Sequence, residues 1–268
     1  MRIYAIAVFL FLYVPIGIIV LFSFNAGRHA SELRGLSIQW YGKALSNPFV
    51  ADAFFNSLIV AFTVAVLSSL MGTAAALALQ RIKGWVRVLF DSLIYISVMI
   101  PGIVIGIATL VALVTVFDFL NPMLASLWPE GSKPPRLSMG YASVIAAHTL
   151  FTMSIVIILV RARIAGMDRA LIEASMDLYA TPWRTFYQVT LPQIYPAILA
   201  GFLLAFTFSF DDFIIAFFVA GGRTTLPIYV FASIRRGVTP EINAIATMML
   251  VVSLTLLFVS QRLLRKQT

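Results

Sequence analysis

Two adjacent carboxylates, Asp211 and Asp212, follow 26 residues without a charge and precede ten more. A carboxylate at membrane depth is costly, so such a pair is a functional candidate by default. Adjacent side chains point about 100° apart on a helix, so the two acids serve different neighbours. The alternative is a pair solvated at the outer mouth of a span, or a pair that breaks the helix there. Phe210 stands directly before them. His148, inside another apolar run, either lines a polar path or makes one interhelical hydrogen bond near an outer end.

A second charged cluster lies in the stretch Met167 to Gly201, MDRALIEASMDLYATPWRTFYQVTLPQIYPAILAG, where Glu173 and Asp177 fall between two long apolar runs. Other chemistry is missing. There is no G-x-x-x-x-G-K-[S/T] phosphate loop, so the chain should not hydrolyse nucleotide. No G-x-S-x-G or H-E-x-x-H occurs, and the two histidines, His29 and His148, are 119 positions apart. There is no cysteine, hence no disulfide or thiolate metal site. Neither a metal nor another cofactor is expected, and an intramembrane hydrolase is unsupported.

The elements that must position these groups are membrane helices. The 268 residues are 61% hydrophobic and 11% charged, where a soluble domain carries about 25% charged residues. Six uncharged runs, 3–27, 53–80, 92–117, 137–160, 185–210 and 242–261, each reach the roughly 20 residues a spanning helix needs. They lack the polar–apolar alternation of a barrel. The expected fold is all-α: one polytopic membrane domain over residues 1–268. Its spans fall at about 3–24, 57–79, 89–117, 142–160, 194–220 and 242–259. The first run is too long for a signal h-region and is read as a retained span.

Six spans put both termini on one side. That side collects 11 of the 19 basic residues: Arg2, Arg81, Lys83, Arg87, Arg161, Arg163, Arg169, Arg184, Arg262, Arg265 and Lys266. Asp168, Glu173 and Asp177 oppose them there, with Asp91 at the boundary and left out of the count. The opposite side has eight basic residues against seven acidic ones, Glu32, Asp52, Asp118, Glu130, Asp211, Asp212 and Glu241. The net charge of +8 is therefore read as positive-inside anchoring to membrane lipid, with both termini cytoplasmic, and not as nucleic-acid binding.

Local signals place smaller features. Ser37–Leu45 reads as a short interfacial helix, or as a loop, with Trp40 and Tyr41 at the headgroup layer. Span 2 is rich in small residues around Gly72, which suits a central place in the bundle. Pro101-Gly102, with Gly106 after it, predicts a mid-span kink that lines a cavity, acts as a hinge, or merely packs. Loop 118–136 is proline-rich and predicted to carry no long element.

In the central stretch, Asp168 is placed to cap a helix through Leu178, with Leu171, Ile172, Ser175 and Leu178 on one face. Thr181-Pro182 starts a second helix through Thr190, which Leu191-Pro192 stops. Residues 224–234 are too few to span and are re-entrant or interfacial. Thr239-Pro240-Glu241 starts span 6, with Glu241 as a dipole partner. A short helix held between spans looks like a handle for another protein.

That stretch resembles the EAA motif of permease subunits of ATP-binding-cassette importers, E-A-A-x-x-x-G, nine residues, then I-x-L-P. Here it stands as Glu173, Ala174, Ser175, then Tyr179 in the glycine place, and Val189, Leu191 and Pro192. The spacing matches in full. The resemblance implies a type I importer (MetI-like) permease fold. It also implies a coupling helix, Glu173 to Tyr179 with Asp177 and Leu178, seated in a groove of a separate ATPase where Glu173 and Asp177 meet basic groups. Serine for alanine at Ser175 is mild. At a left-handed glycine position, Tyr179 would carry roughly 1 kcal/mol or more. Either the helix ends differently or the ATPase groove is shaped for tyrosine.

Phe206–Phe218 and Thr225–Thr247 are similar to permeases of spermidine/putrescine importers of the PotC type. This likeness implies a bacterial inner-membrane location and a small polyamine-like cation as substrate, attracted by Asp211 and Asp212 near the outward end. It further implies a second homologous permease, two cytoplasmic ATP-binding subunits and an extracytoplasmic substrate-binding protein. Importers of other small solutes (amino acids, phosphonate, iron) share much of this region. A secondary transporter coupled to ions through Asp211 and Asp212 is a separate reading, and it leaves the coupling-type loop unexplained.

Overall fold

The computed structural model describes residues 2–28, 32–129 and 131–265. His29, Glu130 and Lys266, counted above, lie outside the described residues. Twelve α-helices occur among the described residues: α1 (Arg2–Ser23), α2 (Gln39–Ser46), α3 (Pro48–Ala78), α4 (Trp85–Met99), α5 (Gly102–Leu127), α6 (Tyr141–Ala165), α7 (Arg169–Asp177), α8 (Pro182–Thr185), α9 (Leu191–Asp211), α10 (Ile214–Val219), α11 (Leu226–Ile234) and α12 (Pro240–Arg265). Among the described residues, six helical stretches are long and apolar enough to cross a membrane: Tyr4–Ser23, Pro48–Ala78, Gly102–Leu127, Tyr141–Ala165, Pro182–Asp211 and Pro240–Arg262.

The chain divides into two compact units, Met1–Ser57 with Thr224–Thr255, and Leu58–Arg223 with Leu256–Thr268. In the first, the segment after α1 is organised by Asn25. Its carboxamide oxygen accepts from Gly27 N and Arg34 N, and its carbonyl accepts from Trp40 Nε1 at 2.7 Å. Trp40 is 7% exposed and Tyr41 Oη lies 2.7 Å from Ser23 Oγ. The helix expected at Ser37–Leu45 is present as α2, but Trp40 is a buried, bonded side chain and not a headgroup anchor. Ser57 Oγ accepts from Leu226 N at 2.8 Å, tying the start of α11 to α3. Glu241, in the first turn of α12, accepts from Asn47 Nδ2 at 3.1 Å.

The second unit is held by a close seam. A β-carbon on Gly72 of α3 would stand 2.9 Å from Val156 of α6, and one on Gly201 of α9 would stand 3.3 Å from the same valine. Small residues let helix backbones approach where no solvent drives them together. Around the seam pack Ala65, Ala76, Ile157, Val160, Ile194 and Ala205. The expected central place of span 2 fits this.

Three expectations are corrected. Span 3 is not one kinked helix over 89–117. The chain breaks at Ile100 and Pro101, both extended with ψ of 133° and 136°, so α4 and α5 are separate helices. Proline cannot donate into the preceding turn and pushes the residue before it out of the helical region. Second, α5 runs on through Asp118 and Pro122 to Leu127, inside the stretch expected to lack a long element. Third, Leu191-Pro192 does not stop a helix. Residues 186–190 widen into one π turn, in which Leu191 N bonds back to Phe186 O, and α9 continues from it. A π turn relocates the local bonding ladder and takes up a proline without ending the helix.

Candidate functional site

Two constellations lie in the second unit, at opposite ends of α9. Pro192 and Asp211 are separated by roughly 30 Å of helix at 1.5 Å per residue.

At the first end, Asp168 Oδ1 accepts from Ala170 N at 2.9 Å and caps α7 as expected. Thr181 Oγ1 accepts from Arg184 N at 3.4 Å and opens α8. Ile172 and Ser175 turn inward, and Ser175 Oγ lies 2.9 Å from Thr185 Oγ1, pinning α7 to α8. Leu171 and Leu178 do not join them; both are exposed, as are Glu173, Ala174, Asp177 and Pro192. Leu191 is half-buried against the core. The base of the loop is tied by Arg163 Nε donating to Gln193 O at 2.9 Å, and Arg161 pairs with Asp91 of α4.

The C-terminus of α7 is a complete Schellman turn. Tyr179 N donates to Met176 O at 2.9 Å and Ala180 N donates to Ser175 O at 3.1 Å. This pattern requires a left-handed residue between them. Tyr179 fills that place with φ of 58° and is the one non-glycine residue with positive φ among the described residues. The helix therefore ends as glycine would end it, and tyrosine carries a strain of roughly 1 kcal/mol. Its side chain is 96% exposed.

At the other end, α9 stops at Asp211. Asp212 is extended, with ψ of 121°, and α10 begins two residues later. Asp212 Oδ2 accepts from Ile215 N at 2.8 Å and Ala216 N at 3.1 Å. This satisfies two of the amides that the start of a new helix leaves without intrahelical partners. The far end of α10 is satisfied by Ser143 Oγ, which donates to Val219 O at 2.6 Å.

His148 of α6 is 2% exposed. Its Nδ1 lies 2.8 Å from Ser209 Oγ and its Nε2 lies 3.3 Å from Asp212 Oδ2. The second contact is a close approach to the carboxylate that lacks hydrogen-bond alignment. Phe210 is 1% exposed and stacks on Phe206 at 5.8 Å. Asp211 is exposed while Asp212 is half-buried, so the neighbouring acids do face different surroundings. Pro101 and Gly102 open α5 beside this cluster. A β-carbon on Gly106 would meet Phe218 of α10 at 2.8 Å, and one on Gly102 would meet Ile214 and Ile215 at 3.9 Å. Thus α10 links the acid pair to the α4–α5 break. Ser143 and Ser209 were not singled out in the sequence, because isolated serines in apolar runs carry no spacing signal.

The model of the family described as "Binding-protein-dependent transport system inner membrane component" matches residues 68–267. The putrescine transport system permease protein PotI of Escherichia coli K12 is 38% identical over 245 residues, covering 90% of this chain and 82% of the relative. The spermidine/putrescine transport system permease protein PotC of Haemophilus influenzae is 33% identical over 260 residues, covering 97% and 94%. Among solved structures, a bacterial ABC transporter involved in the import of the acidic polysaccharide alginate superposes with a TM-score of 0.74 at 17% identity, covering 100% of this chain and 94% of that one. At that identity the likeness speaks to the fold, that of ABC importer permeases. The chain therefore belongs to the family of inner membrane components of binding-protein-dependent transport systems: it is a multi-pass permease subunit, and ATP hydrolysis in such a system resides in a separate subunit.

Proposed function

We propose that this permease imports small polyamine-like cations, with α9 as the rod that joins energy input to substrate. The observation that carries the reading is the content of its two ends. One end holds a short exposed helix, α7, whose EAA-type residues include two exposed carboxylates. The other holds the Asp211–Asp212 pair at a helix break. The cation class is supported by the cargo named for PotI and PotC, at 38% and 33% identity over most of the chain.

In this reading both termini are cytoplasmic, a second homologous permease completes the pathway, and two ATPase subunits grip the two coupling loops. Glu173, Ala174, Ser175, Asp177, Leu178 and Tyr179 dock, while Leu191 and Pro192 fix the base of the loop to α9. ATP binding draws the coupling helices together and rocks the spans outward, and a substrate-loaded extracytoplasmic binding protein then delivers its cation. Asp211, exposed, attracts the ammonium groups. Asp212, His148 and Phe210 hold the break in shape behind it, and Pro101-Gly102 lets α4 and α5 move separately.

Uptake by the reconstituted complex, with polyamines, amino acids and anions as competitors, tests the substrate class. Competition by putrescine or spermidine alone is the expected result. Competition by amino acids or anions instead would overturn the cation assignment.

A further inference from the structure

We propose that Tyr179 is a partner-selecting anchor: a tyrosine held in a glycine conformation so that its ring enters an aromatic-accepting groove of the ATPase subunit. The proposal rests on the coupling reading of α7 given above. The Schellman hydrogen bonds of Met176 and Ser175 fix Tyr179 at φ 58°, a place where glycine sits without strain. The ring recovers nothing within the chain, being 96% exposed. A strained residue persists where its conformation or side chain serves a function. Here the conformation needs no tyrosine, so the side chain is what is kept.

Its surroundings fit a protein groove. Leu178 and Met176 are exposed beside it, and Trp183 of α8, also exposed, stacks on Phe186 at 5.7 Å. Buried tyrosines at interfaces rank among the side chains that carry most binding energy, because they lose little conformational freedom on docking. The other surface that attracts tyrosine and tryptophan is the lipid headgroup layer. Charge on the helix itself argues against it: α7 and its cap carry Asp168, Glu173 and Asp177 against Arg169, with Arg184 on the neighbouring α8. An acidic helix is repelled by an anionic cytoplasmic leaflet and attracted by a basic protein groove.

The test uses the full permease complex, with the ATPase subunit that copurifies with the wild-type chain as the probe. Tyr179→Gly relieves strain, so the permease should assemble normally and unfold at an equal or higher temperature. ATPase retention should nevertheless weaken tenfold or more, and Tyr179→Phe should stay within about threefold of wild type. Wild-type retention in Tyr179→Gly, with loss of retention in Glu173→Lys, overturns the anchor and leaves the coupling reading intact. Retention in both variants, or a wild-type chain that holds no ATPase, overturns the coupling reading itself. In a chain whose four tryptophans are replaced by phenylalanine, quenching of a Tyr179→Trp variant by brominated lipid in the assembled complex would place the ring in the membrane and overturn the anchor; absence of quenching supports it.

Discussion

His148 Nε2 stands 3.3 Å from Asp212 Oδ2, the same oxygen that accepts from Ile215 N and Ala216 N. One carboxylate oxygen thus serves both the first turn of α10 and a buried imidazole on α6. The geometry assigns Asp212 to the architecture. Asp212→Ala removes the acceptor of two part-buried amides and should cost about 1–2 kcal/mol. Asp212→Asn keeps a capping oxygen and should cost less than about 1 kcal/mol. Thermal unfolding of the purified permease in detergent separates the two variants; equal loss in both would remove the cap from the account.

Asp211 should behave differently. It is exposed and precedes the break, and the cap of α10 is supplied by Asp212. In the polyamine reading, Asp211→Asn, which keeps the shape of the side chain, raises KM for cation uptake about tenfold with assembly intact. Losing one charge contact to an ammonium group in a partly dehydrated pathway is of that order. Unchanged uptake kinetics would return Asp211 to a structural role.

The seam of the second unit makes a packing prediction. A β-carbon on Gly72 would lie 2.9 Å from Val156 Cβ and Cγ1 and 3.1 Å from Met153 O. Backbone cannot yield as a flexible side chain can, so Gly72→Ala should destabilise by about 1–3 kcal/mol. Trimming Val156 to alanine in the same chain should recover part of that loss. The pair should therefore be non-additive, with the double variant more stable than the sum of the singles implies. Simple additivity in unfolding measurements would mean that the two helices are not in contact there.

How far the sequence foretold this arrangement depends on where the signals are local. Asp168 and Thr181 were readable as caps because a cap acts within three residues. The six spans were readable because charges are excluded from lipid. Using charges as boundaries also caused an error, since α5 passes through Asp118 unbroken. Pro101 read as a kink because both flanks are apolar, and nothing local distinguishes a kink from a break. Pro192 read as a stop because a π turn leaves no mark in residue types. The His148–Ser209 and Ser143–Val219 contacts join residues 61 and 76 positions apart, which only the packing of α6 on α9 and α10 brings together.

Glu173 carries the last prediction. It is exposed on α7, two residues from Ser175, whose contact with Thr185 pins the loop through the inner face. Reversing its charge therefore leaves the fold alone: Glu173→Lys should reach the membrane in normal amount and unfold at the wild-type temperature, since surface changes of this kind stay within about 0.5 kcal/mol. A basic groove that receives a carboxylate would instead meet a like charge, and close charge pairs at interfaces couple by about 1.5 kcal/mol or more. ATPase retention should fall at least tenfold and uptake should fall with it, while the isolated ATPase subunit keeps its own hydrolysis rate. High salt weakens exposed charge contacts, so raising it should narrow the gap between variant and wild type. A Glu173→Lys permease that retains its ATPase and imports at the wild-type rate would remove Glu173 from the coupling surface.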